Sequence, residues 1–319
     1  MRLLPAAVSG AARAKGRGVN GQDIWGWRVA VYLFVSGMGA GAYATGAAAE
    51  WLDGAGAVTA IAVGLGPLLV GPAALFLIGD LGRPGGFLRA GRRPSTSWIA
   101  RGVVILSAFL AASVGHAALA LLGGPAAVRL ALAAVGGLLA ILTMIYTGLV
   151  LGAIRPIPFW TTPILPLLFA VSSLSTGVMA VDLVATLAPG APPSTLAALR
   201  SADLVLLAVE AVVVALYLAL AHATVAARAA TALVTRGALA GRFWGGVVGA
   251  GLAVPFVVQL AEVSGALPAW AAWTALSSGA GLAGGCLLRQ IVIAGGVKSP
   301  LNAAGMLFTL PGQPRAWQA

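Results

Sequence analysis

Leu130-Ala-Leu-Ala-Ala-Val-Gly-Gly-Leu-Leu-Ala-Ile-Leu-Thr-Met-Ile-Tyr-Thr-Gly-Leu-Val-Leu-Gly-Ala-Ile154 runs for 25 residues without an Asp, Glu, Lys or Arg. A helix crossing the hydrocarbon core needs about 20 consecutive apolar residues, so this stretch reads as a membrane span. It is one of several. Residues 29–49, 54–79, 156–181, 243–261 and 263–288 are equally free of those charges. Of Asp, Glu, Lys, Arg and His, residues 102–128 carry only His116, and 204–227 only Glu210 and His222. The pattern predicts eight spans near 28–50, 58–80, 102–123, 130–153, 163–187, 203–222, 243–262 and 270–293. A transmembrane barrel would instead alternate apolar and polar residues in segments of about ten. The expected fold is therefore an all-α integral membrane protein.

Composition agrees. The chain of 319 residues is 60% hydrophobic and 8% charged, whereas a soluble domain carries roughly 25% charged residues to wet its surface. The basic excess is informative by position. With eight spans, 17 of the 19 Lys and Arg fall on the side of the chain ends, and only Arg129 and Arg200 fall on the other. Basic residues accumulate in cytoplasmic loops, so both termini are expected in the cytoplasm, with the protein multi-pass in the cell inner (plasma) membrane. Membrane orientation accounts for the positive charge, and nucleic acid is not an expected partner. Residues 1–24 read as a basic cytoplasmic tail, 25–298 as the membrane domain and 299–319 as a C-terminal tail. Glycine repeats such as Gly37-Met-Gly39-Ala-Gly41 follow no strand, and they suit close helix packing better than a phosphate loop. Pro67, Pro72 and Pro255 fall inside spans, where they are expected to kink them.

Ionisable groups within spans carry the most functional weight, because a charge at the bilayer centre costs roughly 2.5–3.5 kcal/mol or more unless paired or wetted. Glu210 is the deepest acid, with Asp203 two turns before it. Asp182 falls near the outer end of span five and His116 near that of span three. Glu210, Asp182 and His116 are candidates for a proton path open to the outer face; the alternative is that the carboxylates near the outer end, Asp182 and Asp203, simply meet interfacial water. At the inner boundary a second set converges on one depth: Tyr32 with Arg28 one turn away, Asp80 at the end of span two, and Tyr146 in span four. Trp25, Trp27 and Trp160 accompany them, as tryptophans do at membrane interfaces. Asp80 has as its plainer role an ion pair with Arg83 or Arg101, and Tyr146 one of packing. His116 and His222 stand at opposite faces, about 30 Å apart, so they cannot share a haem, and a single cysteine, Cys286, offers no iron–sulfur site. No metal centre is expected in this chain.

Several of these segments, in order, resemble the NrfD-like membrane subunits of polysulfide and nitrite reductase systems. Trp25-Gly-Trp27-Arg-Val-Ala-Val-Tyr32 leading to Gly37-Met-Gly-Ala-Gly41 resembles their first helix, and Asp80-Leu-Gly-Arg-Pro84 the loop after their second. Tyr146-Thr-Gly-Leu149, Phe159-Trp160, Pro163-Ile-Leu-Pro166 and Ser172-Ser-Leu-Ser-Thr-Gly177 are similar to the fourth and fifth, and Leu288-Arg289-Gln-Ile-Val-Ile to the last. The resemblance implies eight helices in two four-helix bundles. It also implies a quinone (menaquinone or ubiquinone) bound by the chain, and an iron–sulfur partner subunit wired to a molybdenum-type catalytic subunit. The family's quinone-contacting tyrosine falls on Tyr146. Its acid after helix two falls on Asp80, where the polysulfide reductase form has glutamate, and a helix-one histidine of that form falls on Tyr32.

The chemistry suits such a site. Quinol oxidation releases two electrons and two protons, so the site needs a donor at the ring oxygen and a proton acceptor nearby. A phenol meets the first need, and a partly desolvated carboxylate at the membrane edge meets the second. The expected site is Tyr146 and Asp80 as reacting groups, with Tyr32, Trp25 and Arg28 beside them. A secondary transporter or proton channel using Glu210 and Asp182 is the competing reading, and a structural anchor that binds no quinone is a third.

Overall fold

The computed structural model describes residues 25–54, 56–80, 98–222, 224–268, 270–298, 301–303 and 306–308; the side chains of 77–80 and 99, and of the last two segments, lie outside that description. Among the described residues, eight spans are long and apolar enough to cross a membrane. In chain order the helices are α1 (Trp27–Asp53), α2 (Ala57–Asp80), α3 (Trp98–Leu122), α4 (Ala126–Gly152), α5 (Ile164–Leu187), α6 (Pro193–Leu220), α7 (Val225–Thr235), α8 (Arg242–Ala253), α9 (Val254–Val263) and α10 (Ala271–Ala294). A small antiparallel ribbon follows, β1 (Leu301–Ala303) paired with β2 (Met306–Phe308).

Successive spans alternate direction, so the starts of α1, α3 and α5 and the end of α10 share one face, here the terminal face. The four connections at the opposite, distal face are short, and each turns on a glycine with positive φ: Gly54 (81°), Gly123 (70°), Gly190 (93°) and Gly265 (77°). Only glycine takes that conformation without a Cβ clash.

Packing partners fall into two sets. Around the first run α1 on α2, α2 on α3, α3 on α4 and α4 on α1; around the second, α5 on α6, α6 on α9, α8 and α9 on α10, and α10 on α5. The sets meet where α1 packs on α5 and α10, and α4 on α5. At that seam the backbones nearly touch: a Cβ on Gly41 would sit 2.0 Å from the Ser173 carbonyl oxygen, and one on Gly177 would sit 2.3 Å from the Ala42 nitrogen. Close approach of this kind is how membrane helices gain packing energy without a solvent-driven hydrophobic term.

The span limits differ from expectation in one informative place. α6 begins at Pro193, not near 203, because Arg200 and Asp203 lie within the helix as buried residues rather than marking its end. α7 is a short amphipathic helix in what the sequence presents as a loop, started by Thr224, whose hydroxyl accepts from the Ala227 N–H at 3.1 Å. Pro67 and Pro72 remain inside one continuous α2. Pro255 marks a change in winding: α8 is coiled in the wider π form, with the Val254 N–H reaching back five residues to the Gly249 carbonyl, and regular α-helix resumes at α9.

Candidate functional site

Tyr32 stands five residues into α1 and Tyr146 six from the end of α4, so both lie about 8–9 Å from the terminal ends of their helices at 1.5 Å per residue. Both are 5% exposed and belong to one buried cluster. They are near enough to influence each other electrostatically. The Tyr146 phenol fills a slot left by Gly102 of α3, where a Cβ would lie 2.0 Å from the hydroxyl oxygen. The Tyr32 hydroxyl is buried and has no hydrogen-bond partner among the described residues. Buried donors are almost always paired, which makes this hydroxyl notable.

Other members of the expected inner-face site are placed less centrally. Trp25 is half-buried, its ring 6.3 Å from that of Trp160. Trp160 is fully buried and donates through Nε1 to the Val292 carbonyl at 2.7 Å, so it fastens the α4–α5 connection to α10. Arg28 is exposed, with its guanidinium 6.0 Å from the ring of Trp27, itself 65% exposed. Asp80 closes α2, but its side chain lies outside the described residues, as do Arg83 and the rest of the following loop.

The expected proton-path residues separate into two groups. Asp182, Asp203 and Glu210 are all buried in the second set of helices, so neither Asp182 nor Asp203 meets interfacial water. At the distal end, Arg200 Nε lies 3.1 Å from Asp182 Oδ2 and 3.7 Å from Glu262 Oε2, and its Nη2 donates to Thr274 (2.8 Å) and Thr186 (3.2 Å). Both Glu262 oxygens lack a hydrogen bond among the described residues. Deeper in, Asp203 accepts from Ser175 and from Gln259, each at 2.7 Å. Glu210 follows, lining with Ser175 and Thr176 a cavity of about 10 Å³ walled by Gly251, Gly281 and Gly284, room for about one water. Ser172 links Glu210 to Arg289. Arg289 is fully buried in α10 and donates to Ser172, to Ser173 at 3.0 Å and to the Phe169 and Gly285 carbonyls at 3.3 Å. No carboxylate among the described residues pairs with it directly; Phe169 and Phe34 lie 5.1 and 5.9 Å from its guanidinium.

His116 belongs elsewhere. It is fully buried in the first set of helices, its Nε2 2.6 Å from Glu50 Oε2 and its Nδ1 2.8 Å from the Tyr43 hydroxyl, while Arg129 Nε donates to Glu50 Oε1 at 2.9 Å.

Sequence reasoning singles out Glu210, Asp182, His116, Tyr32 and Tyr146 but not their partners Arg200, Arg289, Glu50, Arg129, Tyr43 and Gln259. Read by charge position alone, Arg129 and Arg200 belong to distal loops and Arg289 to the terminal side. The available signal was spacing: Asp182 and Thr186 share a face of α5 at i, i+4, and Ser172, Ser173, Ser175 and Thr176 put four hydroxyls in five positions of one span.

The molecule is thus a multi-pass helical membrane protein with two polar interiors, one in each set of four spans, and a pair of buried phenols near the terminal face. A family model described as "Polysulphide reductase, NrfD" matches residues 17–300, and the chain belongs to the NrfD family. It is 32% identical over 269 residues to the C subunit of the polysulfide reductase of Wolinella succinogenes, covering 75% of this chain and 83% of that relative. It is 30% identical over 307 residues to protein NrfD of Escherichia coli strain K12, covering 86% and 95%.

Proposed function

We propose that this chain is the quinone-reactive membrane subunit of a multisubunit oxidoreductase, passing electrons between the quinone pool and an iron–sulfur subunit that serves a molybdenum-type catalytic subunit. We place it in the plasma membrane with both termini in the cytoplasm, on the bias of its basic residues. Family membership supports the oxidoreductase setting. The observation that carries the quinone reading is the Tyr32 hydroxyl: a buried donor without an acceptor among the described residues, next to a second buried phenol, at the depth where a quinone head group would lie. A quinone carbonyl would supply the missing acceptor, so the residues present fit the group.

Bound there, a quinone supplies reversible two-electron, two-proton chemistry. Tyr32 and Tyr146 hold a ring oxygen by donation and fix its orientation. Their burial excludes water that would compete for it. Asp80, at the end of α2 on the same face, takes the released proton to the membrane edge. With two histidines and one cysteine in the whole chain, the electron acceptor belongs to the partner. The test is quinol-analogue oxidation by the complex purified with its partners. Tyr146→Phe, Tyr32→Phe and Asp80→Asn should each lower turnover by about 10²-fold, the lower end of general acid–base contributions; wild-type rates in all three would remove the site.

A second reading is favoured by the polar chain running from Glu262 and Arg200 through Asp203 to Glu210 and Arg289: the second bundle conducts protons, alone or coupled to quinone chemistry. Glu210→Gln in proteoliposomes should abolish proton movement, and its persistence would leave that polar chain a purely structural one.

A further inference from the structure

The cluster of Tyr43, His116, Glu50 and Arg129 has no part in either reading above. It lies in the first bundle toward the distal face, and Tyr43 is eleven residues along α1 from Tyr32, about 16 Å. Buried apolar residues, Val70, Phe109, Ala140 and Met144 among them, belong to the core between. It is therefore cut off from the phenol pair, and α1 separates it from the second-bundle chain.

Counting hydrogens in this cluster gives two complete arrangements. A carboxylate only accepts, so His116 Nε2, 2.6 Å from Glu50, carries a hydrogen in both. The Tyr43 hydroxyl has one hydrogen and two acceptors in reach: His116 Nδ1 at 2.8 Å and the Leu132 carbonyl at 3.2 Å. When it donates to Nδ1, the imidazole is neutral. When Nδ1 takes up a proton, it donates to the Tyr43 oxygen and the hydroxyl hydrogen turns to Leu132. Each imidazole nitrogen stays bonded in both arrangements, and no heavy atom needs to move.

The surroundings favour that exchange. The Tyr43 ring is held between Gly66 of α2 and Gly136 of α4, which leave it no lateral room, and Phe109 meets it edge-on at 5.3 Å. Only the hydroxyl hydrogen is free to turn. The charged groups facing His116 are Glu50 from α1 and, through it, Arg129 from α4; α2, which also packs on α3, has no charged residue from 54 to 79. Asp53, at the same end of α1, is exposed. An added proton on His116 is met by the Glu50 carboxylate 2.6 Å away, which Arg129 shares at its other oxygen. Arg129, 16% exposed at its side chain, gives the cluster an edge to distal water.

We infer that His116 is a reversible proton-binding site reached from the distal face through Arg129 and Glu50, clasped between α1, α3 and α4 and separate from the phenol pair and the second-bundle sites. The chain has only two histidines, which makes the test direct: full-length protein with ¹⁵N-histidine in lipid nanodiscs, carrying His222→Gln, followed by NMR between about pH 5 and 8, the range in which histidine ordinarily changes charge. The expected result is a neutral imidazole with its hydrogen on Nε2 at high pH that gains one proton on Nδ1 at low pH and reverses fully. Tyr43→Phe should weaken proton uptake about tenfold, because the Nδ1 hydrogen then has no acceptor. A single protonation state throughout, a neutral form with its hydrogen on Nδ1, or an unchanged titration in Tyr43→Phe overturns the inference. If Tyr43→Phe does not fold, the tautomer and titration of the otherwise wild-type protein decide.

Discussion

A methyl group at residue 102 would reach the Tyr146 hydroxyl. The obstructed atom is the far end of a tyrosine side chain, so Gly102→Ala should displace the phenol while leaving α3 intact; in a helix, alanine is preferred to glycine by up to about 1 kcal/mol. Quinol-analogue turnover should fall tenfold or more, with the melting temperature of the purified complex unchanged or raised. Unchanged turnover would mean that Tyr146 is not held in place by that slot. Tyr32 and Tyr146 were legible in the sequence because topology alone gives them one depth. Gly102 was not, since a glycine in an apolar span carries no sign of what it makes room for. Arg289 shows the same limit: five residues from a helix end, it counts as an interfacial charge until the fold surrounds it with Ser172, Ser173 and two aromatic rings.

Among the elements, α6 departs furthest from expectation. The charge pattern starts it near 203, beyond Arg200, yet its 28 residues extend about 42 Å, and the Arg200 and Asp203 side chains are built into the bundle. The two basic residues expected on the distal side are each paired with an acid there, Arg129 with Glu50 and Arg200 with Asp182. A rule that sets charges at span ends works where they meet water and fails where they meet each other. Removing one partner of a buried pair leaves an uncompensated charge, at roughly 3–5 kcal/mol, whereas replacing both with apolar residues costs far less. Because the buried Glu262 side chain also lies 3.7 Å from Arg200, thermal unfolding in detergent should show Arg200→Met, which strands both acids, more destabilised than Asp182→Leu, with the triple variant that adds Glu262→Leu closer to wild type. Additive losses would mean that the three groups contribute no coupling.

For the whole molecule, the eight-span helical fold was legible because uninterrupted apolar runs leave few alternatives in a bilayer. The separation of its polar groups into two interiors was not, because it depends on which face of α1 each residue occupies. Tyr32 and Tyr43 face the first set of helices, and Phe34, Gly37 and Gly41 face the second. Quinol oxidation and proton movement should accordingly respond to different substitutions: Tyr146→Phe should lower turnover in detergent by about 10²-fold, whereas Glu210→Gln should leave detergent turnover within about threefold of wild type and lose only the proton signal in sealed vesicles. Equal loss of both activities in both variants would merge the two interiors into one functional unit.

The glycine seam between α1 and α5 has a mechanical consequence. With main chain lying on main chain there, neither helix can roll or slide without collision, and the pair behaves as a stiff spine shared by both halves. The wall across the cavity beside Glu210 is held in the same way, since a Cβ on Gly251 of α8 would sit 2.6 Å from the Gly284 Cα of α10, so both sides of that cavity resist displacement.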